Sequence, residues 1–172
     1  MKKHLVMLVS LALAATGFCK AQPAPPKQLD KANVLPLGLD DAFQFRKTKI
    51  FLNEPQLNAP TIEQMIAFQR QSVNFGAVTV LDRMQRFGHY YTFFWRSDRK
   101  ADLTVRFEYR QQQLGSFVQA KELFYPGVKG SVESKFQVIG DDYIDEGKIT
   151  AWRAVLIENG KIVGLTQSFL WN

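Results

Sequence analysis

From Ala77 onward the sequence alternates apolar and polar residues with a period of two, which is typical of β-strands. The alternation is clearest in Asp102–Arg110, where one face of the predicted strand is apolar and the other is polar. We expect Leu103, Val105, Phe107 and Tyr109 to face the core, and Thr104, Arg106, Glu108 and Arg110 to face water. His89–Arg96 is largely apolar on both faces, which predicts a central strand that is covered on each side.

Four further segments are predicted to be strands: Ala42–Leu52, the short apolar run Ala77–Leu81, Phe117–Tyr125 and Ser131–Ile139. The two last strands are joined by Asn159-Gly160, a strong hairpin signal because both residues accept the positive φ of a type I′ turn. This turn predicts an ion pair between Glu158 and Lys161. The expected cross-strand pairs are Ile157–Ile162, Leu156–Val163, Ala154–Leu165 and Ile149–Leu170.

One helix is predicted, over Thr61–Gln71. Thr61 follows a proline, and Gln64 lies where a capping box requires it. The apolar residues of this helix form a narrow stripe that we expect to pack against the body of the domain.

The first 21 residues have the pattern of a secretory signal peptide. Lys2 and Lys3 precede the apolar run Leu5–Phe18, and Cys19-Lys20-Ala21 offers small residues before a cut after Ala21. We therefore expect a secreted or periplasmic protein. Anchoring as a lipoprotein through Cys19 is the alternative, although Phe18 fills a position where lipidation signals have a small residue. Cys19 is the only cysteine, so no disulfide is expected.

After the leader, residues 22–36 are rich in proline and are predicted to be a flexible tether, followed by a single domain over residues 37–172. Loss of the leader would leave 19 basic and 16 acidic residues, too small a surplus to indicate a nucleic-acid-binding surface. No segment after the leader is apolar for long enough to predict a membrane span.

Many short strands with one helix predict an all-β fold, an antiparallel sandwich of two sheets. Several residues resemble the immunoglobulin fold. Asp145–Ala151 is similar to the stretch that enters strand F, Trp95 corresponds to the strand C tryptophan, and Leu81 to the strand B cysteine. Leu81 and Ala151 replace the two cysteines, so the fibronectin-III relatives, which lack the disulfide, are an equal match. The alternative fold is a closed antiparallel barrel.

Two groups of residues are candidate sites. Four acidic residues in Gly140–Gly147 could bind Ca²⁺ through their carboxylate oxygens: Asp141, Asp142, Asp145 and Glu146. A weaker hypothesis is that two of these carboxylates are the catalytic pair of a hydrolase. Four aromatic residues that alternation does not place in the core could bind a ligand such as a sugar: Tyr90, Phe94, Tyr125 and Trp171. Both groups also have a plain structural interpretation, as a solvated turn and as core filling.

The sequence contains no catalytic motif. His89 is the only histidine after the leader, and no nucleophile-elbow sequence accompanies it. We therefore expect a non-enzymatic protein without a cofactor, which binds another envelope or extracellular protein, or a second copy of itself. A carbohydrate-binding module that recognises a polysaccharide is the first alternative, and a hydrolase that uses the loop carboxylates is the second.

Overall fold

The computed structural model describes residues 24–55 and 63–171. The predicted signal peptide and the predicted helix cap Thr61 lie outside these residues. The described elements, in chain order, are β1 (Lys27–Leu29), β2 (Phe43–Asn53), α1 (Gln64–Asn74), α2 (Val80–Met84), β3 (Gly88–Gln111), β4 (Gln119–Ile139), α3 (Asp141–Glu146), β5 (Ile149–Glu158), β6 (Lys161–Gln167) and a final 3₁₀ turn, Phe169–Trp171. Among the described helices, none has the length and apolarity that crossing a bilayer requires.

All six strands belong to one antiparallel sheet in the order β1-β4-β3-β5-β6, and β2 also pairs with β3. β3 has two successive neighbours on one edge, because β2 pairs with residues 88–97 and β5 with residues 104–111. β4 follows the other edge of β3 along both stretches. The all-β antiparallel fold is thus confirmed. The sheet stays open, so the closed-barrel alternative is wrong.

The sheet folds over on itself in the middle of its two longest strands. The pairing of β3 with β4 shifts register between Ser97 and Leu103, and opposite this shift β4 contains Gly127 and Gly130 at φ 55° and 88°. Glycine adopts such angles without the strain that most other residues incur. The first layer is β2 with residues 88–97 and 130–139, and the second layer contains β1, β5, β6 and the remaining halves of β3 and β4.

The core lies between these two layers. The ring centroids of Tyr91, in the first layer, and Phe107, in the second, are 4.7 Å apart. Trp152 of β5 also reaches across, with centroid distances of 5.7 Å to Tyr91 and 5.6 Å to Phe93. The predicted inward residues Leu103, Val105, Phe107 and Tyr109 are fully buried, which confirms that face of the strand. The predicted strand His89–Arg96 is central in the sheet, with a neighbour on each edge. The prediction that both of its faces are covered is wrong, since Tyr90, Thr92 and Phe94 on the outer face are only half-buried.

The outward face of Asp102–Arg110 differs from the prediction. Arg106 and Glu108 are buried, with 8% and 3% of their surface exposed. Arg106 Nε donates to Glu122 at 2.6 Å, and its Nη1 donates to the backbone carbonyl of Asn33 at 2.9 Å. A charged side chain can be buried when its hydrogen bonds are satisfied in this way. Part of the predicted tether therefore packs on the sheet.

The hairpin between β5 and β6 is confirmed at its turn. Asn159 and Gly160 have φ values of 47° and 74°, and Ile157 pairs with Ile162 as expected. A bulge after this pair shifts the register by one residue, so Leu156 lies opposite Gly164 and Ala154 opposite Thr166. The predicted pairs Leu156–Val163 and Ala154–Leu165 are therefore wrong.

Two other contacts predicted from this hairpin are also different. The Glu158 carboxylate accepts a hydrogen bond from Arg99 Nη1 at 2.6 Å, and no ion pair with Lys161 is present in the described part of the chain. Leu170 lies in the 3₁₀ turn rather than opposite Ile149, which pairs with Gln111.

The helical region holds the largest differences. Ala77–Leu81 is not a strand, so the predicted strand B position of Leu81 is wrong as well. Thr79 instead caps α2, because its hydroxyl accepts from the Asp82 amide at 3.1 Å while the Asp82 carboxylate accepts from the Thr79 amide at 2.9 Å. A five-residue apolar run cannot distinguish strand from helix, and this capping box decides it.

The predicted helix begins later than expected, at Gln64, and ends at Asn74. Its apolar residues do not face the body of the domain: neither α1 nor α2 contains a buried residue.

Candidate functional site

The exposed apolar side chains of this protein are concentrated on α1, α2 and the turn between them. We call the following set the helical apolar surface: Met65, Phe68, Phe75, Val78, Val80 and Leu81. Each of these side chains is between 71% and 82% exposed. Soluble proteins rarely expose so many large apolar groups within one short segment unless the segment meets a partner.

Polar contacts hold this segment on the sheet. Asn53, at the end of β2 and 1% exposed, donates through Nδ2 to the Arg86 carbonyl at 2.9 Å and to Asn74 Oδ1 at 3.2 Å. Arg86 in turn donates through Nη1 to the carbonyl of Val73 at 3.0 Å. Tyr90 donates to the Arg86 carbonyl at 2.8 Å. The helices are thus attached through partly buried hydrogen bonds, and their large apolar side chains remain exposed.

A hollow of about 600 Å³ lies where α2 meets α3 and the end of β2. Its volume falls in the range of ordinary ligand pockets. Most of its lining is apolar, and the buried polar exceptions are Glu54 and Tyr143. The lining residues are Glu54, Pro55, Val80, Arg83, Met84, Phe87, Tyr143 and Ile144.

Gly88, the first residue of β3, allows α2 and β4 to come close together beside the hollow. Gly88 has φ 138°, and a Cβ at this position would lie 2.2 Å from the carbonyl oxygen of Val138. Only glycine allows this approach, which brings the end of α2 against the end of β4. The Gly140 amide then donates to the Phe87 carbonyl at 3.0 Å.

Glu54 is a buried carboxylate beside the hollow, and its cationic partner Lys148 is exposed. Its carboxylate accepts hydrogen bonds from Lys148, at 2.8 Å, and from the Tyr143 hydroxyl. Burial would raise the pKa of Glu54, but the hydrogen bonds from Lys148 and Tyr143 together outweigh it, so this pKa lies below its ordinary value. Burial and the bond to Glu54 raise the pKa of Tyr143. The carboxylate is therefore ionised, and through its Oε1 atom it connects the end of β2 to α3 and to the start of β5.

His89 is the neighbouring titratable group. Its Nε2 accepts a hydrogen bond from the Ile149 amide at 3.3 Å, and its Nδ1 is buried without a partner in the described structure. Burial lowers the pKa of His89 to about 4. Its ring packs against Tyr91 and Tyr143, with centroid distances of 6.0 and 5.7 Å. At neutral pH it is thus an uncharged ring within the aromatic core.

The acidic candidates lie on α3, a short helix rather than the expected turn. Asp142 forms an ion pair with Lys121 at 3.3 Å, and Glu146 accepts a hydrogen bond from Gln119. Asp141 and Asp145 are exposed. No group of three or more candidate ligands in residues 24–55 and 63–171 is placed to hold a metal ion. Ca²⁺ binding stays a prediction.

The aromatic candidates lie in three separate environments. Trp171 is only 8% exposed and is covered by the guanidinium groups of Arg110 and Arg153, 4.7 and 5.1 Å from its ring. Tyr125 packs edge-on against Trp95 at 5.4 Å, and its hydroxyl lies 2.8 Å from Ser134 Oγ.

Tyr90 and Phe94 share the outer face of the first layer, where both are half-buried. Tyr90 lies 6.2 Å from Phe51 at an interplanar angle of 48°, so these two rings do not form a flat platform. Lys49 Nζ lies 5.3 Å from the ring centroid of Phe94. The structure therefore places two of the four predicted ligand residues on one face of one strand, with different neighbours, and the other two elsewhere.

Two features were missed by the sequence reasoning. Glu54 and Lys148 are 94 positions apart in the chain, and no local sequence pattern predicts that they are in contact. The helical apolar surface did carry a signal, because Val78, Val80 and Leu81 are visibly apolar, but the pattern was interpreted as a buried strand.

No protein-family model, curated protein or solved structure matches this chain.

Proposed function

We propose that this chain is an extracytoplasmic, non-enzymatic binding protein that docks a partner protein of the cell envelope through the helical apolar surface. The observation that carries the proposal is that neither α1 nor α2 contains a buried residue, while their large apolar side chains are exposed. Their apolar side chains contribute nothing to the core, and the signal-like leader indicates where the partner would be met.

The energetic argument concerns what a partner would gain. Covering apolar surface yields about 25 cal/mol per Å², and one large aromatic ring contributes 150–250 Å² of such surface. Phe68 and Phe75 are seven residues apart and line one groove of about 370 Å³ together with Gln71 and Ser72. Exposed aromatic side chains beside such a groove are typical anchors in protein interfaces.

The attachment of the segment supports the same role. A docking surface binds better when it is held in place before the partner arrives. The partly buried hydrogen bonds of Asn53 and Arg86 hold the two helices against the sheet without using their apolar side chains.

The test is site-specific photo-crosslinking in the envelope of the producing cell. A photoreactive residue in place of Phe68 should yield a discrete crosslinked species of one partner, and Phe75→Ser in the same chain should abolish it. Phe169 is the matched control, because it is 92% exposed but lies far along the chain in the 3₁₀ turn. The same photoreactive residue at position 169 should give no such species. Equal crosslinking from positions 68 and 169, or none from position 68, contradicts the proposal.

A further inference from the structure

The three long edges of this sheet are protected to different degrees. The edge of β6 is covered by the chain before β2, since Gly38 and Asp40 donate to the carbonyls of Ile162 and Val163 at 2.9 and 3.0 Å. The edge of β2 has a register shift between Phe45 and Lys47 and carries three positive charges, Arg46, Lys47 and Lys49. Bulges and like charges are the usual means of preventing edge-to-edge pairing.

The edge of β4 over residues 130–139 has no register shift and no run of like charges. Within the described residues this stretch pairs only with β3, because β1 covers residues 120–122 of the same strand. The register with β3 is regular from Gly130 to Ile139. The stretch contains one acidic and one basic residue, Glu133 and Lys135, and no proline. A hollow of about 530 Å³ lies beside Glu133–Gln137, and its other wall includes Ala24–Pro26 and Gln69.

Two side chains from the second layer show which backbone groups point to this edge. Lys121 Nζ donates to the Gln137 carbonyl at 3.0 Å, and the Tyr125 hydroxyl lies 3.4 Å from the Glu133 carbonyl. Backbone groups alternate sides along a strand, so the odd-numbered residues turn their N–H and C=O groups to the free edge. Each carbonyl oxygen has a second lone pair, so both can still accept from a further strand.

We propose that two copies of this chain pair antiparallel along this edge, about a two-fold axis at Ser134, and so extend the sheet from one copy into the other. In this register Glu133 of each copy lies opposite Lys135 of the other. Both are odd-numbered residues, so they form a hydrogen-bonded pair as well as an ion pair, and the two-fold axis generates it twice.

The register also matches the remaining side chains. Val132 lies opposite Phe136 of the other copy on the inner face, and the two Ser134 residues face each other as a non-hydrogen-bonded pair. The segment Val132–Phe136 is thus complementary to an antiparallel copy of itself, because valine pairs with phenylalanine, glutamate with lysine and serine with serine. An interface of this kind is isologous, the form that closes a dimer rather than propagating a fibre.

The experiment is a charge exchange followed by sedimentation velocity of protein made from the complete sequence. Wild type should sediment as a dimer at micromolar concentration. Glu133→Lys and Lys135→Glu each place like charges opposite each other twice, so each should shift the dissociation constant at least tenfold towards monomer. The double variant restores complementarity and should restore the dimer.

A mixture gives the sharpest outcome. The two single variants are complementary to each other, so mixing them should produce a heterodimer that neither forms alone. Arg46→Glu, on the edge of β2, is the matched control and should leave the dimer unchanged. Lys135→Pro removes an edge-facing N–H without affecting the bonds to β3, and should give monomer. A wild type that stays monomeric at micromolar concentration, or a dimer that persists in both single variants, overturns the proposal.

This inference is independent of the docking surface on the helices. A dimer formed through Phe68 and Phe75 would persist in the charge variants, and crosslinking at position 68 to an unrelated envelope protein does not depend on β4.

Discussion

Phe107 of β3 and Phe68 of α1 are the same residue type in the same domain, but none of the surface of Phe107 is exposed, against 72% for Phe68. Phe107 contacts the rings of Tyr91, Phe93, Tyr109 and Phe136, from both layers of the sheet. No residue of α1 is buried. The apolar residues of the sheet therefore produce the stability of the fold, whereas those of the helices are available for contacts with other molecules.

The largest effect should come from the core side of this comparison. Phe107→Ala removes a ring that both layers share, and should lower the free energy of unfolding by about 3–5 kcal/mol because it leaves a cavity between them. Urea unfolding followed by tryptophan fluorescence measures this change. Phe124→Ala is the matched control, since Phe124 is on the same sheet but 59% exposed, and should change the stability by less than about 1 kcal/mol. Equal losses in the two variants would contradict a core shared by both layers.

The second effect concerns His89, where the sheet meets the helical region. Burial lowers the pKa of His89 from its ordinary value of 6.5 to about 4, so between these values the unfolded chain binds a proton that the folded chain does not. The contribution of His89 to the free energy of unfolding is therefore fully present above pH 6.5, and it falls as the pH is lowered from 6.5 towards 4. The expected loss between pH 7 and pH 4.5 is about 2–3 kcal/mol.

This loss is measured by urea unfolding at the two pH values. His89→Phe should remove that part of the pH dependence, because the replacement ring carries no proton. Glu54 also destabilises the fold on acidification, but only below about pH 4.5, since its pKa is lowered from 4.5. An unchanged slope in His89→Phe between pH 6.5 and 4.5 would show that another group titrates in this range.

The smallest effect should come from the helical side. Phe68→Ser and Phe75→Ser remove exposed rings, and each should change the free energy of unfolding by no more than about 0.5 kcal/mol. The same urea experiment measures it. A loss above about 2 kcal/mol would mean that these rings are packed in solution, which would also remove the basis for the docking surface.

The candidate site was less predictable from the sequence than the sheet. The acidic candidates rest on the density of carboxylates in one loop, and the aromatic candidates on an alternation that does not place them in the core. The structure shows internal partners for several of them, such as Trp171 under Arg110 and Arg153. Glu54 was not chosen at all. Its partners Tyr143 and Lys148 arrive from distant parts of the chain, so only the folded chain reveals that its charge is compensated.

Local sequence determined the features whose energetics are local. The positive φ at Asn159 and Gly160 was predictable because few residues accept such angles, and the buried face of Leu103 to Tyr109 because side chains alternate strictly along a strand. Tertiary structure decided the rest. It made β3 and β4 continuous through both layers, and it buried Arg106 and Glu108, because a charge leaves water only where distant residues supply its hydrogen bonds. It also left α1 and α2 outside the core, since the two layers of the sheet already cover each other's apolar faces.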